Sequence, residues 1–202
     1  MVRPPSFLRW IYPNAIWHLP SDRKILYLTF DDGPTPFITE KVLELLDEYK
    51  AKATFFCIGK NIEQHPGIFN LIKEKGHHIG SHTYSHLNGW KSKTEEYIND
   101  YMKGRELSQS NLFRPPYGRI LLKPLQVIQK QDKVIMWDIL SKDYDNDLSP
   151  EEVYANVTRN LGPGSIIVFH DNEKAKNNLL VVLPRILVYL SQQGYALEAI
   201  PY

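Results

Sequence analysis

An α/β fold, built as a closed or nearly closed parallel barrel, is what the sequence predicts. Short apolar runs alternate with longer amphipathic stretches along the whole chain. Strands alternating with helices imply parallel strands joined by right-handed crossovers, and six or seven such units favour a barrel over an open sheet. The polar clusters fall just after apolar runs, where barrel enzymes carry their chemistry on loops leaving the C-terminal ends of strands.

The run Ile25-Leu26-Tyr27-Leu28-Thr29-Phe30 predicts the first strand, ended by the loop signal Asp31-Asp32-Gly33-Pro34. Residues 37–49 carry apolar positions at Ile38, Val42, Leu45, Leu46 and Tyr49, a helical spacing. Ala53 to Ile58 reads as the second strand, and Pro66 to Lys75 as a helix stopped by Gly76. A short third strand is expected at His78-Ile79-Gly80-Ser81 and a long polar-faced helix over Thr94 to Ser108. Further strands are expected at Leu112-Phe113, Val134 to Trp137, Ser165 to Phe169 and near Tyr195 to Leu197, with helices at 120–130, 150–161 and 177–193. No repeat, low-complexity tract or linker divides the 202 residues, so one domain is expected over 1–202, with 1–24 as an N-terminal extension.

Composition narrows the function classes. The chain is 43% hydrophobic and 23% charged, ordinary for a globular protein, and its 24 basic and 23 acidic residues leave a net charge of +1. The basic residues are scattered, which excludes a nucleic-acid footprint. No stretch approaches the roughly 20 apolar residues of a transmembrane span. The first 22 residues lack a continuous apolar run of about 7–15, so a cytoplasmic location is expected for the sequence as written. Cys57 is the sole cysteine. It permits neither an intramolecular disulfide nor a cysteine zinc site, and within Ala53-Thr54-Phe55-Phe56-Cys57-Ile58 it reads as a buried thiol. Twelve Tyr and four Trp fill a core by default, or provide surfaces on which sugar rings stack.

Four segments carry possible chemistry. His82-Thr83-Tyr84-Ser85-His86 spaces two imidazoles so that one helical turn would converge them on an ion; two unrelated histidines remain the alternative. Asp32 strengthens the metal reading, because two His and one carboxylate with open positions form a catalytic set for zinc or a related ion. Asp31 and Asp32, adjacent at a strand end, point in different directions, so one can bind metal while the other faces a water; taken alone, they are ordinary turn residues. Arg114-Pro115-Pro116-Tyr117-Gly118 is a stiff segment that fixes Arg114 and Tyr117, or simply a turn. His170 ends the apolar run Ile166-Ile167-Val168-Phe169, where a general acid or a structural histidine fits equally.

Together these segments resemble the polysaccharide deacetylase family, the fourth family of carbohydrate esterases, over residues 25–200. Thr29-Phe30-Asp31-Asp32-Gly33-Pro34 is similar to the family's first motif and His82-Thr83-Tyr84-Ser85-His86 to its second. Arg114-Pro115-Pro116-Tyr117 is similar to the third and Val168-Phe169-His170 to the fifth, and Ala53 to Gly59 also looks familial. The resemblance implies a distorted parallel (β/α) barrel with fewer than eight regular repeats. It implies a metal-dependent hydrolase that removes acetyl groups from an N-acetylated saccharide, or an O-acetylated one, and releases acetate. Asp32, His82 and His86 would bind one divalent ion, zinc first, with cobalt, nickel or iron as alternatives. Asp31 would be the general base, His170 the general acid, Arg114 the partner that keeps Asp31 ionised, and the Tyr117 backbone N–H an oxyanion donor.

One motif departs from the family. Where its fourth motif reads Asp-x-x-Asp-Trp, this chain has Leu140-Ser141-Lys142-Asp143-Tyr144. Leu140 takes the place expected of the Asp that orients the catalytic histidine, and Asp143 is the best substitute, ahead of Asp138 and Asp171. The competing role for Asp143 is a cap on the loop before the helix near Pro150. Two rival functions follow: an amidase for a small non-sugar amide using the same metal site, or a catalytically inactive carbohydrate-binding relative. Leu140 motivates the second, and Asp31, which sugar binding does not require, argues against it.

Overall fold

The computed structural model describes residues 2–201. A four-residue helix α1 (Leu8–Ile11) precedes the central strand β1 (Ile25–Asp31), which is buried at every position, as its unbroken apolar run requires. The chain continues through α2 (Ile38–Glu48), β2 (Ala53–Cys57), α3 (Gly59–Gln64), α4 (Pro66–Glu74), β3 (His78–Ser81), α5 (Thr94–Ser108) and β4 (Leu112–Phe113). A 3-10 turn at Pro116–Gly118 leads to α6 (Leu122–Ile128), β5 (Lys133–Val134), β6 (Ile139–Leu140), α7 (Pro150–Thr158), β7 (Ile166–His170), α8 (Lys176–Gln192) and β8 (Ala196–Leu197). Helices α1 and α3 and strand β6 have no counterpart in the sequence reading, because each is too short to show a period.

The strands lie in the order β5-β4-β3-β2-β1-β7-β6, all parallel, with β8 added beside β1. The result is a half-barrel wrapped by helices. This is the expected distorted parallel barrel with fewer than eight regular repeats, left incompletely closed: among the described residues β5 and β6 do not pair with each other. The reason is local. Ile135 N–H still donates to Phe113 O, at 2.8 Å, while Asp138 N–H already donates to Ile166 O, at 3.2 Å. Residues 135–138 therefore cross directly from one sheet edge to the other, with no helix and no further strand between. This crossing also shortens the strand expected over Val134 to Trp137.

The N-terminal segment enters this gap. Ile16 forms a parallel bridge with Ile135 and His18 an antiparallel one with Ser165. Ile16 N–H donates to Val134 O at 2.8 Å, and Met136 N–H donates to Ile16 O at 2.7 Å. Tyr12 and Trp17 are buried in a cluster with Tyr97, Tyr101, Phe113 and Leu125. Part of the N-terminal extension, residues 1–24, thus packs into the core. The principal core lies between the sheet and helices α2, α4, α7 and α8, centred on Phe30, whose ring stacks on Phe55 at 5.0 Å and on Phe169 at 5.9 Å. Cys57 is a buried free thiol. No helix among the described residues is long and apolar enough to cross a membrane. The C-terminal ends of β1, β3, β4 and β7 open on one face, and the polar residues gather there.

Candidate metal centre and active site

Asp31 is the last residue of β1, and Asp32 turns out of the strand with φ of 81°. That left-handed conformation suits Asp better than most residues and sends the two carboxylates apart. Asp31 meets Arg114, and Asp32 meets His82 and His86. The loop that delivers the histidines is not helical, which corrects the helical-turn expectation. Thr83 and His86 take φ of 63° and 61°, values an α-helix excludes, so the rings converge through a folded loop, with centroids 5.1 Å apart. Asp100 on α5 holds this loop: its carboxylate accepts from Tyr84 N–H at 3.1 Å, Ser85 N–H at 3.0 Å and Ser85 O–H at 2.7 Å. A Cβ on Gly104 would lie 2.5 Å from the Thr83 carbonyl carbon, so only glycine lets α5 approach so closely.

The donor set fits a divalent ion. His86 Nε2 lies 3.1 Å and His82 Nε2 3.6 Å from Asp32 Oδ1. The three ligand atoms all fall within 4.8 Å of one another. Asp32 Oδ1 is buried and makes no hydrogen bond. An unsatisfied buried carboxylate oxygen costs free energy unless something else, such as an ion, meets it. The histidine tautomer agrees. His82 Nδ1–H donates to Arg114 O at 2.7 Å, which leaves the Nε2 lone pair facing the cluster. Burial, against the pull of Asp31, lowers His82 to about 4, so its ring is neutral, as a ligand must be. Burial opposes ionisation of Asp32, but the close approach of the His86 ring and the positive charge of His170 outweigh it and hold the carboxyl well below its usual range.

Arg114 is fully buried, and its guanidinium is satisfied on every side that matters. It donates to Asp31 Oδ1 at 2.6 Å, Thr29 Oγ1 at 2.7 Å, Met136 O at 3.0 Å and Ile135 O at 3.2 Å. The ring of Phe56 lies 4.1 Å from its Cζ. This clamp fixes one oxygen of Asp31. The other, Oδ2, stands 4.0 Å from His82 Nε2, at the edge of the metal cluster.

His170 stands beside Asp31, because β1 and β7 pair with those two residues in register. Its carboxylate partner is Asp143: His170 Nδ1–H donates to Asp143 Oδ1 and its backbone N–H to Asp143 Oδ2, both at 2.8 Å. Ser141 O–H adds a further bond to Oδ1 at 2.9 Å. Leu140 only lines the cavity, so its substitution removes no partner from His170. The rival carboxylates are occupied elsewhere, Asp138 by His18 and Ile166 N–H, Asp171 by Thr39 and Gly33 N–H. The cap on α7 is Ser149, not Asp143. Burial lowers the His170 pKa, but Asp143, with Asp32 and Asp31, overrides it and raises the ring to about 9.

Asp31, Asp32, His82, His86, Tyr117 and His170 all line one cavity of about 350 Å³. Tyr117 takes φ of 61°, and its ring packs 4.6 Å from that of His86. Tyr144 meets His170 edge-on at 4.8 Å. Trp90 is half exposed but does not line this cavity. Asn172 and Asp100 are absent from the sequence reading, though both touch the cluster or its loop. The local signal at Asn172 is that of a turn residue, its Oδ1 accepting from Ala175 N–H ahead of α8.

A model of a polysaccharide deacetylase domain matches residues 18–134. A peptidoglycan-N-acetylglucosamine deacetylase of Bacillus cereus is 35% identical over 187 residues, covering 89% of this chain and 87% of the relative. A chitooligosaccharide deacetylase of Azorhizobium caulinodans is 30% identical, with 87% and 92% covered. Among solved structures, a peptidoglycan N-acetylglucosamine deacetylase in complex with a naphthyl N-oxidanyl-benzamide superposes with a TM-score of 0.89 at 31% identity, covering 98% of this chain and 95% of the other.

Proposed function

Because the chain belongs to the polysaccharide deacetylase family, and so is a hydrolase, we propose that it removes N-acetyl groups from amino sugars of peptidoglycan, releasing acetate. The observation that carries the reading is the joint presence, in one cavity, of a buried Asp/His/His cluster, the separately clamped Asp31 and the Asp143-paired His170. Peptidoglycan is preferred over chitin oligosaccharides because the relative named for it is the more similar of the two over almost the whole of both chains.

Asp32, His82 and His86 would hold one divalent ion, zinc by the chemistry of the set. When bound, such an ion polarises an acyl oxygen and makes water a better nucleophile at neutral pH. The rest falls to the chain. Asp31, its Oδ1 occupied by Arg114, has Oδ2 left to take a proton from the attacking water. The Tyr117 N–H would stabilise the oxyanion as the carbonyl becomes tetrahedral. An amine leaves only when protonated. His170, cationic at neutral pH through Asp143, presents Nε2 as the acid, since Nδ1–H is committed to the carboxylate. The two groups come from neighbouring strands and line the same cavity as the cluster, within reach of one bound substrate. With Asp143 in place, the motive for an inactive relative disappears.

The test is acetate release from a panel of peptidoglycan, chitin oligosaccharides, O-acetylated xylan and small acetamides, with and without a chelator. Release from N-acetylated saccharides that stops on chelation supports the reading. Release from small amides alone, or release indifferent to chelator, refutes it.

A further inference from the structure

The metal carboxylate has a second partner outside the resemblance. Asn172 Nδ2 donates to Asp32 Oδ2 at 2.6 Å, while Asn172 Oδ1 accepts from Ala175 N–H at 2.8 Å. These contacts leave the amide one orientation. A flip would set oxygen against carboxylate and NH₂ against a backbone N–H. Asn172 lies two residues beyond His170, on the turn between β7 and α8. Helix α8 is anchored in the principal core through Leu179, Val182, Leu183 and Ile186, so the amide is held by a rigid element. The other side of Asp32 is tied as well, since Asn61 Nδ2 donates to its carbonyl oxygen at 2.7 Å.

We propose that Asn172 is a positioning residue for the metal centre, engaging Asp32 Oδ2 so that Oδ1 alone is presented to an ion between His82 and His86. A free carboxylate rotates about its Cβ–Cγ bond and can offer either oxygen or both. With Oδ2 bonded, only Oδ1 remains unpartnered, and it is the oxygen nearer both Nε2 atoms. Partners that orient a ligand in this way characteristically contribute about 10–100-fold to metal affinity. The same turn carries His170, so the segment that sets the acid also sets the ligand.

The inference rests on the metal-site reading, and the experiment separates the two. Zn²⁺ is titrated into the metal-free protein against a chromophoric chelator, for wild type, Asn172→Ser, Asn172→Ala and His82→Ala. Serine keeps a helix-capping oxygen for Ala175 N–H but is too short to reach Asp32. Expected is a roughly 10–100-fold weaker Zn²⁺ affinity in both Asn172 variants, with the metal-free melting temperature of Asn172→Ser close to wild type. Wild-type affinity in Asn172→Ser, alongside lost binding in His82→Ala, overturns the positioning role and leaves the metal site standing. Undiminished binding in His82→Ala overturns the metal site itself.

Discussion

Asp143→Asn gives the sharpest test of the His170 assignment. The substitution is isosteric, but an amide cannot accept from both the ring Nδ1–H and the backbone N–H that the two carboxylate oxygens now serve at 2.8 Å. One contact is lost and the negative charge disappears. The rise of the ring from 6.5 to about 9 corresponds to roughly 3 kcal/mol of preference for the imidazolium. Burial alone would push the other way. Without Asp143 the ring therefore falls to its ordinary value or below. The sign follows: a general acid works while protonated, so activity persists below the folded pKa and is lost as pH rises through it. In wild type the basic limb of kcat should stand near 9; in Asp143→Asn it should move below about 6.5, leaving little activity at neutral pH. A bound cation would offset the contribution of Asp32 to His170 but not that of Asp143, so the difference between the two proteins survives metal loading. The assay is kcat against pH for acetate release, with metal content checked at each pH. A basic limb that does not move on Asp143→Asn would refute the assignment of His170 as the acid.

Other substitutions separate the remaining roles. Asp31→Asn should abolish turnover with metal content intact, measured by elemental analysis, because it removes a base and no ligand; loss of metal would mean the two aspartates have exchanged roles. His86→Ala should lower metal content by orders of magnitude while far-ultraviolet circular dichroism stays native, since the ring packs on the cavity rim rather than in the core. Arg114→Met leaves Asp31 buried without its cation, a change that costs about 3–5 kcal/mol, and should lower the urea midpoint markedly even in the metal-free protein. Leu140→Asp should not raise activity at any pH, because the carboxylate that serves His170 is already supplied; a clear gain would show that Asp143 does not fill that role.

Much of the fold was legible because its strongest elements obey local rules. Strand β3 and helix α5 lie where periodicity puts them, and α8 is displaced by a single residue. What local pattern cannot show is closure. Nothing in Ile135-Met136-Trp137-Asp138 says that the backbone leaves Phe113 and reaches Ile166 within a few residues, or that Ile16 enters the space this opens. Nor does the sequence show that the N-terminal extension supplies Tyr12 and Trp17 to a buried cluster. Sequence spacing also misassigned the local geometry of the histidine pair: four residues apart suits a helix, but positive φ at Thr83 and His86 brings the rings together by another path.

The site was legible at the level of residue types and not of pairings, and the reason is register. Asp31 and His170 lie far apart in sequence and become neighbours only because β1 and β7 align as Tyr27 with Ile166, Leu28 with Ile167, and so on to Asp31 with His170. Side-chain direction alternates along a strand, so a slip of one residue would turn His170 to the opposite face of the sheet. The apolar residues that precede both catalytic candidates hold that alignment. Phe30 and Phe169 stack in the principal core, while Thr29 O–H, on the other face, donates to Ile167 O at 2.8 Å and accepts from Arg114. The core thus sets the spacing between the candidate base and acid, one residue beyond its last stacked pair. Asn172 extends the same logic past the strand end: the turn that follows His170 comes back on Asp32 because β7 has already been placed beside β1.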